Sequence, residues 1–580
     1  MARHEGELGY VDVHEGLKVC RENRNSSVWF YINRKKRSTV TTGSYVQSKY
    51  SFQTSDGYDQ YFLGIVDEIM YTNVNHDTQP SEGANRDREF DQRDHRCWAR
   101  VDPLTVIVVD PDSNKPQSSR VVDMTPQPNS PVHFCEDESY LRTGLNISSQ
   151  GLTIGHLARN GSLIPDESNP LTLNIPNPGA QESGESALFR HTLISGSTGK
   201  GKTFFAKNYI RQIIDGTEYE FEDFDGNQMK SPPSVVIIDP EGEYTELAEN
   251  PDTTDLDDAQ EELYTDLLQD PTVQAGGITD HSSFDLQTFI PWTQNSQLGS
   301  QKHKKTFSIP FRSVQNTPEL LLNYQAEAPT RNAITGVVSL YFDDIPEHRQ
   351  TYDHFIQWLD IANSETDNFD DHPIASQLNI FEGAWQAMMN RVKNKTYFNV
   401  FDADANNRIP TEDMIVPGRV SVVPTNHLNT RQTELIVMSI MNLLVHNKVG
   451  SGSNEIVRET PVILALDEAH NFLGDAQTVR DEYILHKFRQ IAKQGRKYKL
   501  GLFNITQNPE DVDNTLLKQT NTKVFLGLEP EVLEQLPLNT LSKYKTQIAN
   551  FGKGQAIVKS PDMRATEIVG FPVCLTRHSN

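Results

Sequence analysis

The chain has 580 residues, too many for one compact domain. It carries 53 lysines and arginines against 79 aspartates and glutamates, and the resulting net charge of −26 excludes long-range attraction of a polyanion by the surface as a whole. Its four cysteines, Cys20, Cys97, Cys135 and Cys574, form no CxxC pair, which excludes a zinc-finger spacing and a disulfide framework.

A nucleic-acid partner therefore requires a local basic patch or a ring built from several subunits. The acid excess also fits a host with a salty cytoplasm. The N-terminus, Met1-Ala2-Arg3-His4-Glu5, is charged and lacks the apolar run of a signal peptide. No apolar stretch reaches the length of a bilayer-spanning helix, so the expected localisation is cytoplasmic, with no membrane partner.

In chain order, residues 1–160 predict a small β-barrel, with strands at Val28 to Ile32, Tyr45 to Tyr50, Tyr61 to Met70 and Leu104 to Val109 and a long exposed loop from Asn75 to Arg96. Residues 161–187, rich in Pro, Asn, Gly and Glu, read as a connector. An α/β alternation occupies 188–249 and 411–532, with buried strands at Val235 to Ile238, Val420 to Val423, Val462 to Leu466, Leu500 to Thr506 and Lys523 to Leu528, and a helix at Thr433 to Leu444. Residues 250–410 read as a mainly helical insertion, and 533–580 as a C-terminal β segment formed by Gln555 to Val558 and Thr566 to Val573.

The chemistry is concentrated in the alternating part. Leu193 and Ile194 end an apolar strand that opens into Gly196-Ser197-Thr198-Gly199-Lys200-Gly201-Lys202-Thr203, a complete GxxxxGK[ST] phosphate loop. Glycines allow the tight turn and the close approach of backbone N–H groups to phosphates, while the following helix adds its positive end. Lys202 is placed to reach the β- and γ-phosphates and Thr203 to ligate Mg²⁺. ATP and Mg²⁺ are thus the expected cofactors.

Two strands end in acid, at Asp239-Pro240-Glu241 and at Asp467-Glu468. The adjacent pair supplies a metal-holding Asp467 and a water-activating Glu468, and is preferred over Asp239 and Glu241 for those roles. Gln507 follows the next strand, where a polar side chain can sense the γ-phosphate. From Tyr483 to Pro509 there is no acidic residue, yet Lys487, Arg489, Lys493, Arg496, Lys497 and Lys499 are present. This is either a solvated basic face or a stretch whose arginine completes the nucleotide site of the next subunit. The clusters Lys302-His303-Lys304-Lys305 and Arg391, Lys393, Lys395 beside Tyr397 and Phe398 are candidates for contacting DNA phosphates, although most such clusters are solvated surface.

Together the pieces resemble the HerA family of hexameric DNA-translocating ATPases, in the wider HerA and FtsK group. The matching residues are Arg190-His191, the loop Gly196 to Thr203, Asp239 to Tyr244, Pro417-Gly418-Arg419-Val420, Asp467 to Phe472, Gly495-Arg496-Lys497 and Thr506-Gln507-Asn508-Pro509. Gly43 to Val46 and Leu63 to Val66 are weaker anchors for the family's N-terminal barrel. Lys200 departs from the small residue usual in the family, and Asn508 stands where an Arg commonly precedes the proline.

The resemblance implies a RecA-like phosphate-loop ATPase core and an ATP-driven translocase or helicase acting on double-stranded DNA as a homo-hexamer, in end processing or repair with a NurA-like nuclease or another effector. It makes Arg496 the trans-acting finger and Gln507 the sensor, so that the expected catalytic set is Lys202, Glu468, Arg496 and Gln507. A conjugation, secretion or genome-packaging motor of the same group, or a nucleotide-gated scaffold, is the alternative.

Overall fold

A computed structural model describes all residues except 1–5, 14–16, 21–25, 74–94, 150, 165–170, 176–186, 215–218, 223–225, 250–253, 255, 259–260, 263–264, 266–284, 293–303, 316, 322–326, 395–399, 403–410, 451, 453, 477–478, 538–543, 562 and 570–580. The chain divides into two compact units, Met1–Ser149 with Gly155–Ile175 and Asp562–Val569, and Gln150–Ile154 with Pro176–Pro561 and Gly570–Asn580.

In the first unit, strands β1 (Gly9–Asp12), β2 (Val28–Ile32), β3 (Tyr45–Lys49), β4 (Asp59–Asn73), β5 (His95–Val109), β6 (Pro116–Arg120) and β7 (Pro131–Phe134) form an antiparallel sheet. Apolar residues alternate along them, and Leu8, Val28, Phe30, Val46, Phe62, Val101 and Val106 fill the interior. The long pair β4 and β5 changes register at Leu63/Gly64 and again at Val66/Glu68. Such bulges bend a ribbon. Bent in this way, β5 pairs with β4 along its length and with β2 over Val28↔Val101 to Tyr31↔Trp98, which closes the barrel β2-β1-β7-β3-β4-β5 and leaves β6 outside it.

The closed ring ends at Phe134, short of the expected boundary at 160. Helix α1 (Glu138–Leu145) follows, started by the Asp137 carboxylate, which accepts from the Ser139 and Tyr140 N–H groups, and ended by Asn146 in the left-handed region. Strands β8 (Leu152–Arg159), β9 (Ser162–Leu163) and β10 (Thr172–Ile175) come next. Two of them lie in the expected connector, because Leu171, Leu173 and Ile175 are buried despite their polar neighbours. The rest of that connector, at 165–170 and 176–186, and nearly all of the expected loop lie outside the described residues; His95 and Arg96 open β5.

The second unit is built on a mostly parallel sheet. Its strands are β11 (Thr192–Ser195), β14 (Ser234–Asp239), β15 (Asp285–Pro291), β16 (Lys304–Phe307), β17 (Arg419–Pro424), β18 (Val462–Leu466), β19 (Leu500–Thr506), β20 (Thr522–Leu526) and β21 (Gln555–Ser560), with β12 (Tyr219–Glu222) and β13 (Gln228–Ser231) forming a separate hairpin. The order is β21-β20-β11-β19-β18-β14-β17-β15-β16. All pairings are parallel except β20 with β21. Runs such as Val235-Val236-Ile237-Ile238 and Val462-Ile463-Leu464 are buried throughout, as strands covered on both faces must be. Helix α2 (Lys202–Ile214) follows β11.

The stretch 250–410 contains α3 (Ala328–Asp344), α4 (Tyr352–Ser364) and α5 (Glu382–Val392); Tyr341 of α3 and Phe355 of α4 pack on Phe311, which also meets Phe401, to form an aromatic cluster. It is less purely helical than its polarity suggests, since β15 and β16 extend the parallel sheet beyond β17 through the buried Phe289, Ile290 and Phe307. Two further helices, α6 (Thr430–Leu444) and α7 (Val479–Gln494), follow β17 and β18 in the chain. The expected C-terminal β segment divides: β21 belongs to the second unit and β22 (Met563–Val569) to the first, while 570–580 lie outside the described residues. The fold is α/β, a RecA-like phosphate-loop core preceded in the chain by a β-barrel.

Candidate nucleotide site

Parallel strands present their carboxyl ends on one edge, and four of them carry the expected residues there. Register fixes their order: Ser195 on β11 lies opposite Thr506 on β19, Leu466 on β18 opposite Asn504, and Ile238 on β14 opposite Leu466. The turn after β11 is therefore beside the turns after β19 and β18.

The phosphate loop takes the shape its glycines permit. Gly199 and Gly201 have φ of 76° and 98°, a region that side chains with a Cβ resist. The Ser197 N–H donates to the Gly527 carbonyl at 2.8 Å, and α2 begins at Lys202, where N–H groups of the first turn have no intrahelical acceptor. Lys200, expected in the phosphate cradle, spends its ammonium elsewhere. Its Nζ donates to the Phe551 carbonyl at 2.7 Å, over a space that the absence of a Cβ on Gly527 leaves open to its stem.

Lys202 and Glu468 come together from the loop and from β18. Each is only 8 % exposed, and Lys202 Nζ lies 3.9 Å from Glu468 Oε1. The same oxygen accepts from Gln507 Nε2 at 2.6 Å, and Gln507 Oε1 accepts from Thr198 Oγ1 at 2.6 Å. Glu468 Oε2 is buried and makes no hydrogen bond among the described residues, although His470 Nδ1 stands 3.4 Å away. Glu468 also has φ of 45°, an uncommon conformation for a residue with a side chain, of the kind that marks functional turns.

Asp467 is 3 % exposed, and burial first, then the neighbouring Asp239 and Glu468, push its pKa up to about 8 while Lys202 pulls it back. Asp239 is fully buried and pushed up to about 6 by that burial. Its oxygens are engaged by its own loop, since they accept from the N–H groups of Gly242, Glu243 and Tyr244. Gly242 is required there: its φ is 81° and an added Cβ would meet Asn426 Nδ2 at 2.8 Å. Glu241 is exposed. Between the two acidic turns, only Asp467-Glu468 offers a carboxylate oxygen that is buried and unspent.

Arg496 is not at this edge. It is exposed in the turn Gly495–Tyr498, which precedes β19 and so lies at the sheet's opposite edge. That turn is anchored by His191, whose motif position was noted in the sequence but whose contacts were not. His191 Nδ1 accepts from the Leu502 N–H at 3.0 Å and its Nε2 faces the Ala492 carbonyl at 3.1 Å, tying the start of β11 to β19 and to the end of α7. Burial lowers its pKa to about 4, which keeps it neutral.

Of the basic clusters, Lys302, His303, Lys395, Tyr397 and Phe398 lie outside the described residues. Lys305 pairs with Asp413 and Lys393 with Asp360, so both cations already have acids. In the 483–509 stretch Arg489 is held by both oxygens of Asp513, and Lys487 and Lys497 lie over Tyr483 and Tyr498.

A hard cation fits this donor set. Asp467 and Thr203 offer oxygen, and among the described residues no group of three or more His, Cys, Asp or Glu side chains forms a metal cage. Magnesium is characteristically held this way, by one or two protein oxygens together with phosphates.

Residues 183–444 match the family model described as the central domain of helicase HerA. A probable DNA double-strand break repair helicase HerA of Methanocaldococcus jannaschii is 23% identical over 468 residues, 76% of this chain and 80% of that protein. The DNA double-strand break repair helicase HerA of Saccharolobus solfataricus is 27% identical over 168 residues, 28% and 32%. A probable helicase of M. jannaschii is 30% identical over 114 residues, 19% and 21%. The chain thus spans about a fifth to a third of the length of several of the curated relatives it matches. Among solved structures, the plasmid coupling protein TrwB in complex with ADP and Mg²⁺ is 12% identical, with a TM-score of 0.41 over 70% of this chain and 92% of that one. VirB4 of Thermoanaerobacter pseudethanolicus is 15% identical, with a TM-score of 0.40 over 73% and 96%. With its complete phosphate loop, its acidic strand end and the match of residues 183–444 to that central domain, the chain is a phosphate-loop ATPase similar to the HerA family.

Proposed function

We propose that the chain is a magnesium-dependent ATPase whose turnover moves double-stranded DNA through a ring of six copies, in DNA end processing or repair beside a NurA-like nuclease or another effector. The loop N–H groups and Lys202 bind the β- and γ-phosphates of ATP. Bound through Thr203 and Asp467, Mg²⁺ would supply charge neutralisation on those phosphates. Glu468 accepts a proton through Oε2 from the water that attacks the γ-phosphorus; a bond from the water oxygen to phosphorus forms, the bridge to the β-phosphate breaks, and ADP and phosphate leave. Gln507 orients Glu468 and the water. Arg496 of a neighbouring copy neutralises charge developing on the phosphoryl group.

One observation carries this reading: Lys202 of the loop stands 3.9 Å from Glu468, whose second oxygen is buried and free of hydrogen bonds among the described residues. The proposed setting is the cytoplasm. Among the described residues no helix is long and apolar enough to cross a membrane.

ATP hydrolysis with and without linear duplex DNA tests the proposal. Strong stimulation by DNA supports the translocase. Indifference supports the second reading, a nucleotide-gated scaffold or a motor with another cargo, which the net charge of −26 favours. A mass measurement in the presence of nucleotide tests the ring, because a stable monomer leaves Arg496 without a partner site.

A further inference from the structure

Thr198, Gln507 and Glu468 form a hydrogen-bonded chain that runs in one direction. Gln507 turns its NH₂ group to Glu468 Oε1 and donates to it at 2.6 Å. That leaves Gln507 Oε1, also an acceptor, facing Thr198 Oγ1 at 2.6 Å, and the hydroxyl must donate to it. Thr198 has one hydroxyl hydrogen, and it goes to Gln507 from an exposed side chain on the loop that the sequence marks as the phosphate cradle.

Little about this bond serves the fold. It is exposed, it joins residues 309 positions apart in the chain, and exposed hydrogen bonds add little stability because water replaces them. Its two ends are the nucleotide loop and, through Gln507, the carboxylate with the unspent oxygen.

We propose that Thr198 is a positioning residue that ties the phosphate loop to Glu468 through Gln507, an inference that rests on the ATPase reading above. The Thr198 hydroxyl holds Gln507 Oε1 and Gln507 Nε2 holds Glu468 Oε1, so that Oε2 stays open as the base in a fixed place relative to the loop that carries the phosphates.

The test uses the full chain with Mg²⁺ and ATP, and compares Thr198→Val, Thr198→Ser, Gln507→Ala and the Thr198→Val/Gln507→Ala double variant. Thr198→Val keeps the branched shape and loses the hydroxyl. It is expected to lower kcat about tenfold, the worth of one hydrogen bond, with KM changed less than about threefold and an unaltered melting temperature. Thr198→Ser restores kcat to within about threefold of the parent. In the Gln507→Ala background Thr198→Val has no further effect beyond about twofold, because its only route to Glu468 is already gone. Independent, multiplying losses overturn the inference, as does a rise in KM at unchanged kcat, which makes Thr198 an ordinary phosphate ligand. A parent protein that hydrolyses no ATP removes the ATPase reading itself, whereas multiplying losses in an active enzyme remove only the role of Thr198.

Discussion

Replacing Glu468 by glutamine alters the site at one atom. Gln507 Nε2 is a fixed donor 2.6 Å from Oε1, so the new amide must offer its remaining oxygen there and put its NH₂ group where Oε2 was. That second position is the buried oxygen with no hydrogen-bond partner among the described residues, and an amide nitrogen there has no lone pair to take a proton. A positioned general base is worth about 10² to 10⁴ in rate, or roughly 3–5 kcal/mol of barrier. Phosphate binding should survive, because Lys202 and the loop backbone are untouched and one negative charge fewer then faces a polyanion beside Asp239 and Asp467. Single-turnover hydrolysis with Mg²⁺ measures the first effect, and titration with a fluorescent nucleotide the second. The expected result is a rate loss of about 10² or more with ATP affinity equal to or tighter than the parent's. Turnover within about threefold of the parent would sink the assignment of Glu468, and with it the direction of the Thr198 chain.

Lys202→Ala and Lys200→Ala should separate, though the residues are two apart. The first loses turnover by about 10² or more, while the second keeps nucleotide affinity within about threefold and costs about 1 kcal/mol of stability through the lost bond to Phe551; similar turnover losses in both return Lys200 to the cradle. His191→Ala removes the acceptor of the Leu502 N–H and the imidazole contact of the Ala492 carbonyl inside the protein and costs about 2–4 kcal/mol in chemical denaturation. Burial lowers the His191 pKa from 6.5 to about 4, so between these values the unfolded chain takes up a proton that the folded one refuses; its contribution is complete above pH 6.5 and lost as pH falls through about 4. Melting profiles of parent and His191→Ala that run parallel between those pH values contradict this. Arg496→Ala should lower turnover by about 10³ or more, and mixing it with Lys202→Ala chains should restore part, since the Lys202→Ala copy lends its Arg496 to an intact neighbouring loop. Absence of any rescue in mixed rings argues that Arg496 acts on no neighbour.

Much of the core was legible because its signals are local. A strand buried on both faces must be apolar without interruption, and β14, β17, β18 and β19 fall on the runs that show this. The phosphate loop is equally local, since its turn depends on glycines within eight residues. What escaped depends on partners distant in sequence. Barrel closure through β2 and β5 required the bulges near Leu63 and Val66, which leave no compositional mark. Strands β15 and β16 were hidden in a polar stretch, and their membership of the sheet rests on β17, far along the chain. The ranking of the two acidic turns was readable from adjacency, but its physical reason was not: Asp239 spends its oxygens on three backbone N–H groups of its own loop, while Glu468 keeps one oxygen unspent. Lys200 counts among the loop residues by position alone; the gap at Gly527 and the carbonyl of Phe551, which direct its ammonium elsewhere, are far along the chain.

The two edges of the sheet carry different parts of the proposed chemistry, and this constrains what one copy can do. The phosphate loop, Glu468 and Gln507 follow the carboxyl ends of their strands. Arg496 precedes the amino end of β19, whose seven residues from Leu500 to Thr506 separate it from Gln507. At about 3.3 Å per residue the separation is roughly 20 Å, well beyond the reach of an arginine side chain. One chain therefore does not bring Arg496 to its own phosphate loop. His191 nonetheless holds the two ends in a fixed relation, since it joins the strand that opens into the loop to the helix that ends in the arginine turn. A solvated cation needs no such anchoring. A cation that has to meet a phosphate on another copy does, because an error in its placement is an error in the distance across the interface, and electrostatic stabilisation falls steeply with that distance.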